Sequence, residues 1–178
     1  NAKWDVWREK NAVWRGSWFL YGGYGTGKTG LAIGHAWERI HDDDEVRRFV
    51  FVTVPKMLSS LRSTYNRQGA EGQTEDDVMA RYTDADLLIM DDMGAEQVTN
   101  SGWVEDRLYQ IIGHRHAEEL QTIFTSNLSP QQLGARIGER VMWRIVEMCG
   151  PEGILHVDGP NLRQPAKAPS AVSTKERG

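Results

Sequence analysis

Short runs of consecutive apolar residues alternate along this chain with stretches where apolar side chains recur every three or four positions. These are the patterns of buried strands and of amphipathic helices. Trp18-Phe19-Leu20-Tyr21 is the first run, broken by the glycine-rich stretch Gly22 to Gly27, and Lys28 to Ile40 reads as a helix. Phe49 to Val54 predicts a second strand, and Pro55 opens a helix to about Tyr65, proline being acceptable in a first turn. Gly69 to Thr74 reads as loop, Glu75 to Tyr82 as a short helix and Leu87 to Met90 as the third strand. A helix from about Trp103 to Leu120, a strand at Thr122 to Thr125, one or two helices within Pro130 to Met148 and a last strand at Ile154 to Val157 complete the pattern. Five apolar strands separated by helices predict an α/β fold of three layers, α/β/α, with a mainly parallel five-stranded sheet.

The two ends read differently from this core, which runs from 18 to 163. Residues 1–17 carry Trp4, Trp7 and Trp14, a spacing that predicts one helix face, used for core packing or for docking an upstream part. Residues 164–178 are poor in hydrophobics and read as a disordered tail. The first residue is Asn1 and nothing signal-like follows it, so the sequence reads as excised from a longer chain.

Composition narrows the class. The 178 residues are 39% hydrophobic and 26% charged, which suits one soluble domain with a real core. Mean hydropathy is −0.55, and no apolar run approaches the roughly 20 residues that cross a bilayer, so no membrane role is expected. Cys149 is the single cysteine, which excludes a disulfide framework and points to a reducing, cytoplasmic setting. Net charge is −4, so the chain is no bulk electrostatic coat for DNA, although 15 of its 21 basic residues are arginines that can form a local patch. None of the five histidines has the spacing of a zinc site, and His41-Asp42-Asp43-Asp44-Glu45 reads as a solvated loop.

Chemistry concentrates at three strand ends. Gly22-Gly23-Tyr24-Gly25-Thr26-Gly27-Lys28-Thr29 matches G-x-x-x-x-G-K-[ST] in full, between a predicted strand and a predicted helix. Glycines let successive backbone N–H groups turn inward around phosphates, and the following helix adds its positive N-terminal end. Lys28 then reaches the β and γ phosphates of a nucleoside triphosphate, and the Thr29 hydroxyl can ligate Mg²⁺. Leu87-Leu88-Ile89-Met90-Asp91-Asp92 sets two carboxylates at the end of an apolar strand. Asp91 is placed to hold Mg²⁺, and Asp92 to orient or deprotonate the attacking water. Such a pair is ordinary in a turn; the phosphate loop is what gives it meaning. Ile123-Phe124-Thr125-Ser126-Asn127 brings Asn127 to the same edge, as a γ-phosphate and water contact or as a plain turn residue. Arg136, Arg140 and Arg144 recur every four residues and would share one face of a single helix, either solvated or presented to a neighbour's phosphates.

Together GGYGTGKT, LLIMDDMG, TSN and GERVMWRI, in that order, resemble the DnaC/IstB-like branch of the AAA+ ATPases. From Pro55 to Arg163 the chain is most similar to DnaC-type replicative helicase loaders, through KMLSSLRSTYN, GERVM and the closing GPNLR. The resemblance implies a P-loop NTPase core of the AAA+ ASCE type without a C-terminal lid domain, acting in DNA replication. It implies a slow, assembly-dependent ATPase, head-to-tail homo-oligomers, and Arg144 completing a neighbour's site with Arg140 as second candidate. It also implies a hexameric replicative helicase as partner and single-stranded DNA held near Tyr65, flanked by Arg62 and Arg67. Trp143 departs from the family, where a small or acidic residue is usual, Gly150-Pro151-Glu152-Gly153 is longer than the family's connection, and the helicase-binding segment that lies ahead of the core in loaders is absent or reduced in this sequence. An IstB-like transposition helper, with a transposase as partner, is the alternative. A small-molecule P-loop kinase is a weaker one, because Asp91-Asp92 and Thr125-Ser126-Asn127 are not its pattern.

Overall fold

The computed structural model of the chain describes residues 16–42, 46–65, 73–96 and 101–163. The tryptophans of the first fifteen residues, the end of the acidic run, Arg67 and the tail lie outside the described residues. The strands are β1 (Trp18–Tyr21), β2 (Phe49–Thr53), β3 (Leu87–Met93), β4 (Gln121–Ser126) and β5 (Ile154–His156). The helices are α1 (Lys28–Asp42), α2 (Val54–Tyr65), α3 (Glu75–Thr83), α4 (Ser101–Ala117), α5 (Pro130–Ile137) and α6 (Glu139–Cys149). All strand pairs are parallel, in the order β2-β3-β4-β1-β5. Three neighbours, β3, β4 and β1, therefore deliver their carboxyl ends side by side at the middle of the sheet, where open α/β sheets bind ligands.

The three central strands, β1, β3 and β4, are buried on both faces, and alternate residues serve different cores. Trp18, Leu20, Leu87, Ile89 and Ile123 meet Ala32 and Ala36 of α1. Phe19, Leu88, Met90 and Phe124 meet residues of the five other helices, among them Leu61, Tyr82, Ile112, Leu133 and Ile145. One face thus carries a single described helix, and Phe49 and Phe51 of edge strand β2, paired with Leu87 and Ile89 on that side, stay partly exposed. Cys149 is buried and its thiol pKa is pushed up by burial, as suits a small hydrophobe. Among the described residues no helix is long and apolar enough to cross a membrane.

Two boundaries differ by three residues from the sequence expectation, each for a local reason, and the segment from Pro130 resolves into the second of its two expected forms, a pair of helices. Strand β3 continues past Met90 through both aspartates to Met93, which pairs with Ser126 beyond a register shift. Helix α4 stops at Ala117 rather than near Leu120, because Glu119 takes φ +53° and the Leu120 N–H closes onto the Arg115 carbonyl at 2.9 Å. Gly138 has φ +104° and divides α5 from α6, so Arg136 does not share a helix with Arg140 and Arg144. A side chain at 138 would also collide with Glu105, since its Cβ would stand 2.4 Å from Glu105 Cδ.

Among the described residues, two basic side chains away from the phosphate loop are buried. Arg115 is fully buried and joins the α3–β3 turn to β4. Its Nη1 donates to the carbonyls of Tyr82, Thr83 and Ala85 at 2.9, 3.1 and 2.6 Å, Nη2 to that of Gln121 at 2.7 Å and Nε to Thr122 Oγ1 at 2.8 Å. His35 of α1 packs its ring 3.7 Å from that of Trp18. Burial first, and the Arg39 charge second, push its pKa down to about 4. In the unfolded chain the ring titrates near the ordinary value of about 6.5. Between these values the unfolded state holds the proton and the folded state does not. Stability is therefore complete above pH ~6.5 and falls as pH drops toward 4, by at most about 3 kcal/mol. Chemical denaturation at pH 7 and pH 4.5 is expected to show that loss in the wild type and a smaller one in His35→Gln.

Candidate nucleotide-binding site

The site is built on the loop between β1 and α1. Gly22 N–H donates to the Ser126 carbonyl at 3.3 Å, which fixes the loop to the end of β4. Thr26 Oγ1 donates to the Gly23 carbonyl at 3.0 Å. Lys28 folds back into the loop, and Nζ donates to Gly22 O at 2.9 Å, Gly23 O at 2.7 Å and Asn127 Oδ1 at 2.8 Å. Its pKa is lowered by burial, opposed by the charges of Asp92 and Asp91, with Arg163 lowering it further.

The acids at the end of β3 take different partners. Asp91 is buried, and its Oδ1 accepts from Thr29 Oγ1 at 2.8 Å and from Thr125 Oγ1 at 2.7 Å. Asp92 has φ +59°, left-handed backbone that few residues other than glycine adopt and that concentrates at functional sites. The turn is held by its N–H donating to Thr125 Oγ1 at 2.9 Å, and its Oδ1 accepts from Asn127 Nδ2 at 3.0 Å. Asn127 thus bridges the lysine and the second carboxylate, linking residues 28, 92 and 127 into one chain.

A cavity of about 400 Å³ opens onto these groups, lined by Lys28, Thr29, Asp91, Asp92, Thr125 and Asn127 together with glycines of the loop. Tyr24, Leu162 and Arg163 also line it. The last two carry no site signal in the sequence. The segment from Gly159 to Arg163 crosses the phosphate loop, and the Leu162 N–H donates to the Gly25 carbonyl at 2.9 Å. Gly25 takes φ +74°, backbone that favours glycine, and a Cβ there would stand 1.8 Å from Asn161 Oδ1 and force that side chain aside. The only sequence signal for this strap is GPNLR, a turn-forming run with a basic end, more than a hundred positions from the loop it touches.

The other sequence-derived residues lie elsewhere. Neither Arg140 nor Arg144 lines the cavity of its own chain. Both flank Tyr109 of α4, with guanidinium carbons 5.3 and 5.5 Å from the ring centre. Arg140 pairs with Glu105 at 3.0 Å, and Arg144 Nη2 donates to Tyr109 Oη at 3.1 Å while Nη1 lies 3.1 Å from His116 Nδ1. Arg136 donates to the Glu96 carbonyl at 2.7 Å and is structural. Arg62 stacks on the Trp103 ring at 4.7 Å; Tyr65 closes α2, and its side chain lies outside the described residues.

Comparison with known proteins points the same way. A family model described as IstB-like ATP binding protein matches residues 13–151. The chain is similar to the replicative helicase loader DnaI of Bacillus subtilis strain 168, with 29% identity over 160 residues, covering 83% of this chain and 47% of that protein. It spans about half the length of the curated relatives it matches. The crystal structure of a DnaI aligns with TM-score 0.68 at 26% identity, covering 91% of this chain and 84% of that one. The crystal structure of a DnaC helicase loader shares the fold with TM-score 0.67 at 21% identity, covering 88% and 87%. The matched segment takes in the phosphate loop, the aspartate pair, Asn127 and the Arg140–Arg144 helix, and the chain belongs to the IstB-like ATP-binding family, in the DnaC/IstB-like branch of the AAA+ ATPases.

Proposed function

We propose that this chain is the ATPase core of a replicative helicase loader, which hydrolyses ATP at a site completed by a second copy. The observation that carries the reading is the Lys28–Asn127–Asp92 bridge beside the Thr29–Asp91 pair, all facing one cavity. The glycine loop from Gly22 to Gly27, with Tyr24 and Thr26, wraps the phosphates by its backbone N–H groups, and Lys28 neutralises them. Asp92, held by Thr125 and Asn127, takes the proton of the attacking water, while Asn127 positions that water. Arg144 arrives from the neighbouring copy to stabilise the charge on the transferring phosphoryl group, with Arg140 as second candidate.

Magnesium fits the donor set. Among the described residues no group of three or more acids, histidines or cysteines forms a metal cage. The adjacent hydroxyl and carboxylate of Thr29 and Asp91 are instead the oxygen donors that would hold Mg²⁺ together with phosphates. When bound, it neutralises phosphate charge.

Helicase loading, in the cytoplasm, is supported by the similarity to DnaI and DnaC loaders, and contact with single-stranded DNA by Arg62 and Tyr65 at the end of α2 and Arg67 beyond it. The IstB-like family model favours a second reading, a transposition helper, which differs in taking a transposase as partner. The test of the shared site is ATP turnover per subunit against protein concentration, with and without single-stranded DNA. Turnover is expected to be slow when dilute, to climb with concentration and to shift with DNA. A flat, DNA-blind rate would overturn the reading in favour of a self-contained P-loop enzyme. Capture of a purified hexameric helicase but not of a transposase decides the partner.

A further inference from the structure

Among the described residues, four large apolar side chains stand more than half exposed: Tyr24 at 75%, Trp143 at 67%, Trp37 at 65% and Leu162 at 57%. Scattered exposed hydrophobics need no explanation. Three of these four stand beside groups of the proposed shared site. Trp37 has a ring partner in His41, 4.0 Å away. Tyr24 and Leu162 stand together at the mouth of the nucleotide cavity. Trp143 stands on α6, next in sequence to Arg144 and one helical turn from Arg140, whose side chain is 64% exposed.

The two surfaces match in apolarity and, once nucleotide is bound, in charge. The α6 ridge presents two guanidinium groups beside an indole. The mouth presents an aromatic and an aliphatic side chain around a cavity lined by the carboxylates of Asp91 and Asp92 and by the cations of Lys28 and Arg163, so that the excess negative charge there is that of bound phosphates. Both lie on the same chain in different places, so that their pairing between copies is head to tail. An indole is rigid, offers a large contact area and is the side chain most often found at the energetic centre of interfaces.

We propose that Trp143 is the anchor of the contact between copies: its indole packs on Tyr24 and Leu162 at the nucleotide mouth of the next copy and sets the reach of Arg144 into that site. The occupant of the mouth is a second copy of this chain, and the inference rests on the shared-site reading above.

The test is sedimentation of the full chain with a non-hydrolysable ATP analogue and Mg²⁺, for the wild type, Trp143→Ala, Trp143→Phe and Leu162→Ser. The wild type is expected to associate, Trp143→Ala to need about 30-fold more protein or beyond, and Trp143→Phe to keep most of the association. Binding of a fluorescent ATP analogue to Trp143→Ala is expected to match the wild type, and melting curves report that the fold is intact. An equimolar mixture of Trp143→Ala and Leu162→Ser is expected to form pairs, because one intact indole then meets one intact mouth. Wild-type association by Trp143→Ala, or a mixture that stays monomeric while both single variants do, overturns the anchor and leaves the shared site standing. A wild type that binds the analogue yet stays monomeric at every concentration overturns both.

Discussion

Arg144→Ala is expected to lower ATP turnover by about 10³-fold or more while ATP affinity stays within about twofold, the signature of a group that acts on the transition state alone. Arg144 does not line the cavity of its own chain, so its removal leaves that chain's nucleotide contacts intact. It does hold α6 against α4 through Tyr109 and His116, and the melting temperature of the variant reports that separate effect. The decisive measurement is a mixture of Arg144→Ala with Lys28→Ala. Neither variant turns over alone, since one lacks the finger and the other the phosphate-binding cation. Mixed, the Lys28→Ala copies lend their Arg144 to the intact sites of their neighbours, and turnover partly returns. Full turnover by Arg144→Ala moves the role to Arg140 or removes it from this helix. Absence of rescue in an assembled mixture sinks the in-trans role.

Arg115→Met is expected to cost about 3 kcal/mol or more, a large part of the 5–15 kcal/mol that holds an ordinary domain. Methionine keeps much of the side-chain volume but none of the donors. The carbonyls of Tyr82 and Ala85 would lose their partner inside the protein, and those of Thr83 and Gln121 in partly buried places. An unsatisfied buried acceptor costs about 1–3 kcal/mol, and the buried pair with the weakened outer two outweigh the relief from no longer burying a charge. Arg115→Lys is expected to recover part of the loss, because a compact ammonium has three donors and no planar fork. Urea denaturation at pH 7 checks both. A change below about 1 kcal/mol for Arg115→Met would mean that the turn before β3 holds itself.

How much of this could be read in the sequence depended on distance along the chain. Features encoded within eight or ten consecutive residues were legible: the apolar run of β1, the phosphate loop, and the apolar strand capped by two acids. The features that were not legible join residues far apart. Nothing in LLIMDD says that Asp92 takes left-handed backbone, and nothing in TSN says that Asn127 ties it to Lys28. GPNLR is a turn-like run in which no pattern shows that it lies on Gly25. The sharing of the sheet's two faces, one described helix against five, was equally hidden, since an apolar stripe shows that a helix is buried and not on which side. The recurrence of arginine at 136, 140 and 144 could not tell one helix from two, because one glycine between the first two, with φ +104°, ends a periodicity that composition alone continues.

The ammonium of Lys28 has a final consequence for selectivity. It has three protons, and in this structure three oxygens of the protein already accept them. A ligand therefore gains this cation only by exchange, displacing a backbone carbonyl or the amide of Asn127. An uncharged guest of the right shape would trade one neutral acceptor for another and gain nothing. An anionic oxygen trades upward, because hydrogen bonds to ionised groups are roughly twice as strong as neutral ones. The loop thus satisfies its own cation with its own oxygens, and that pairing works as a filter for charge.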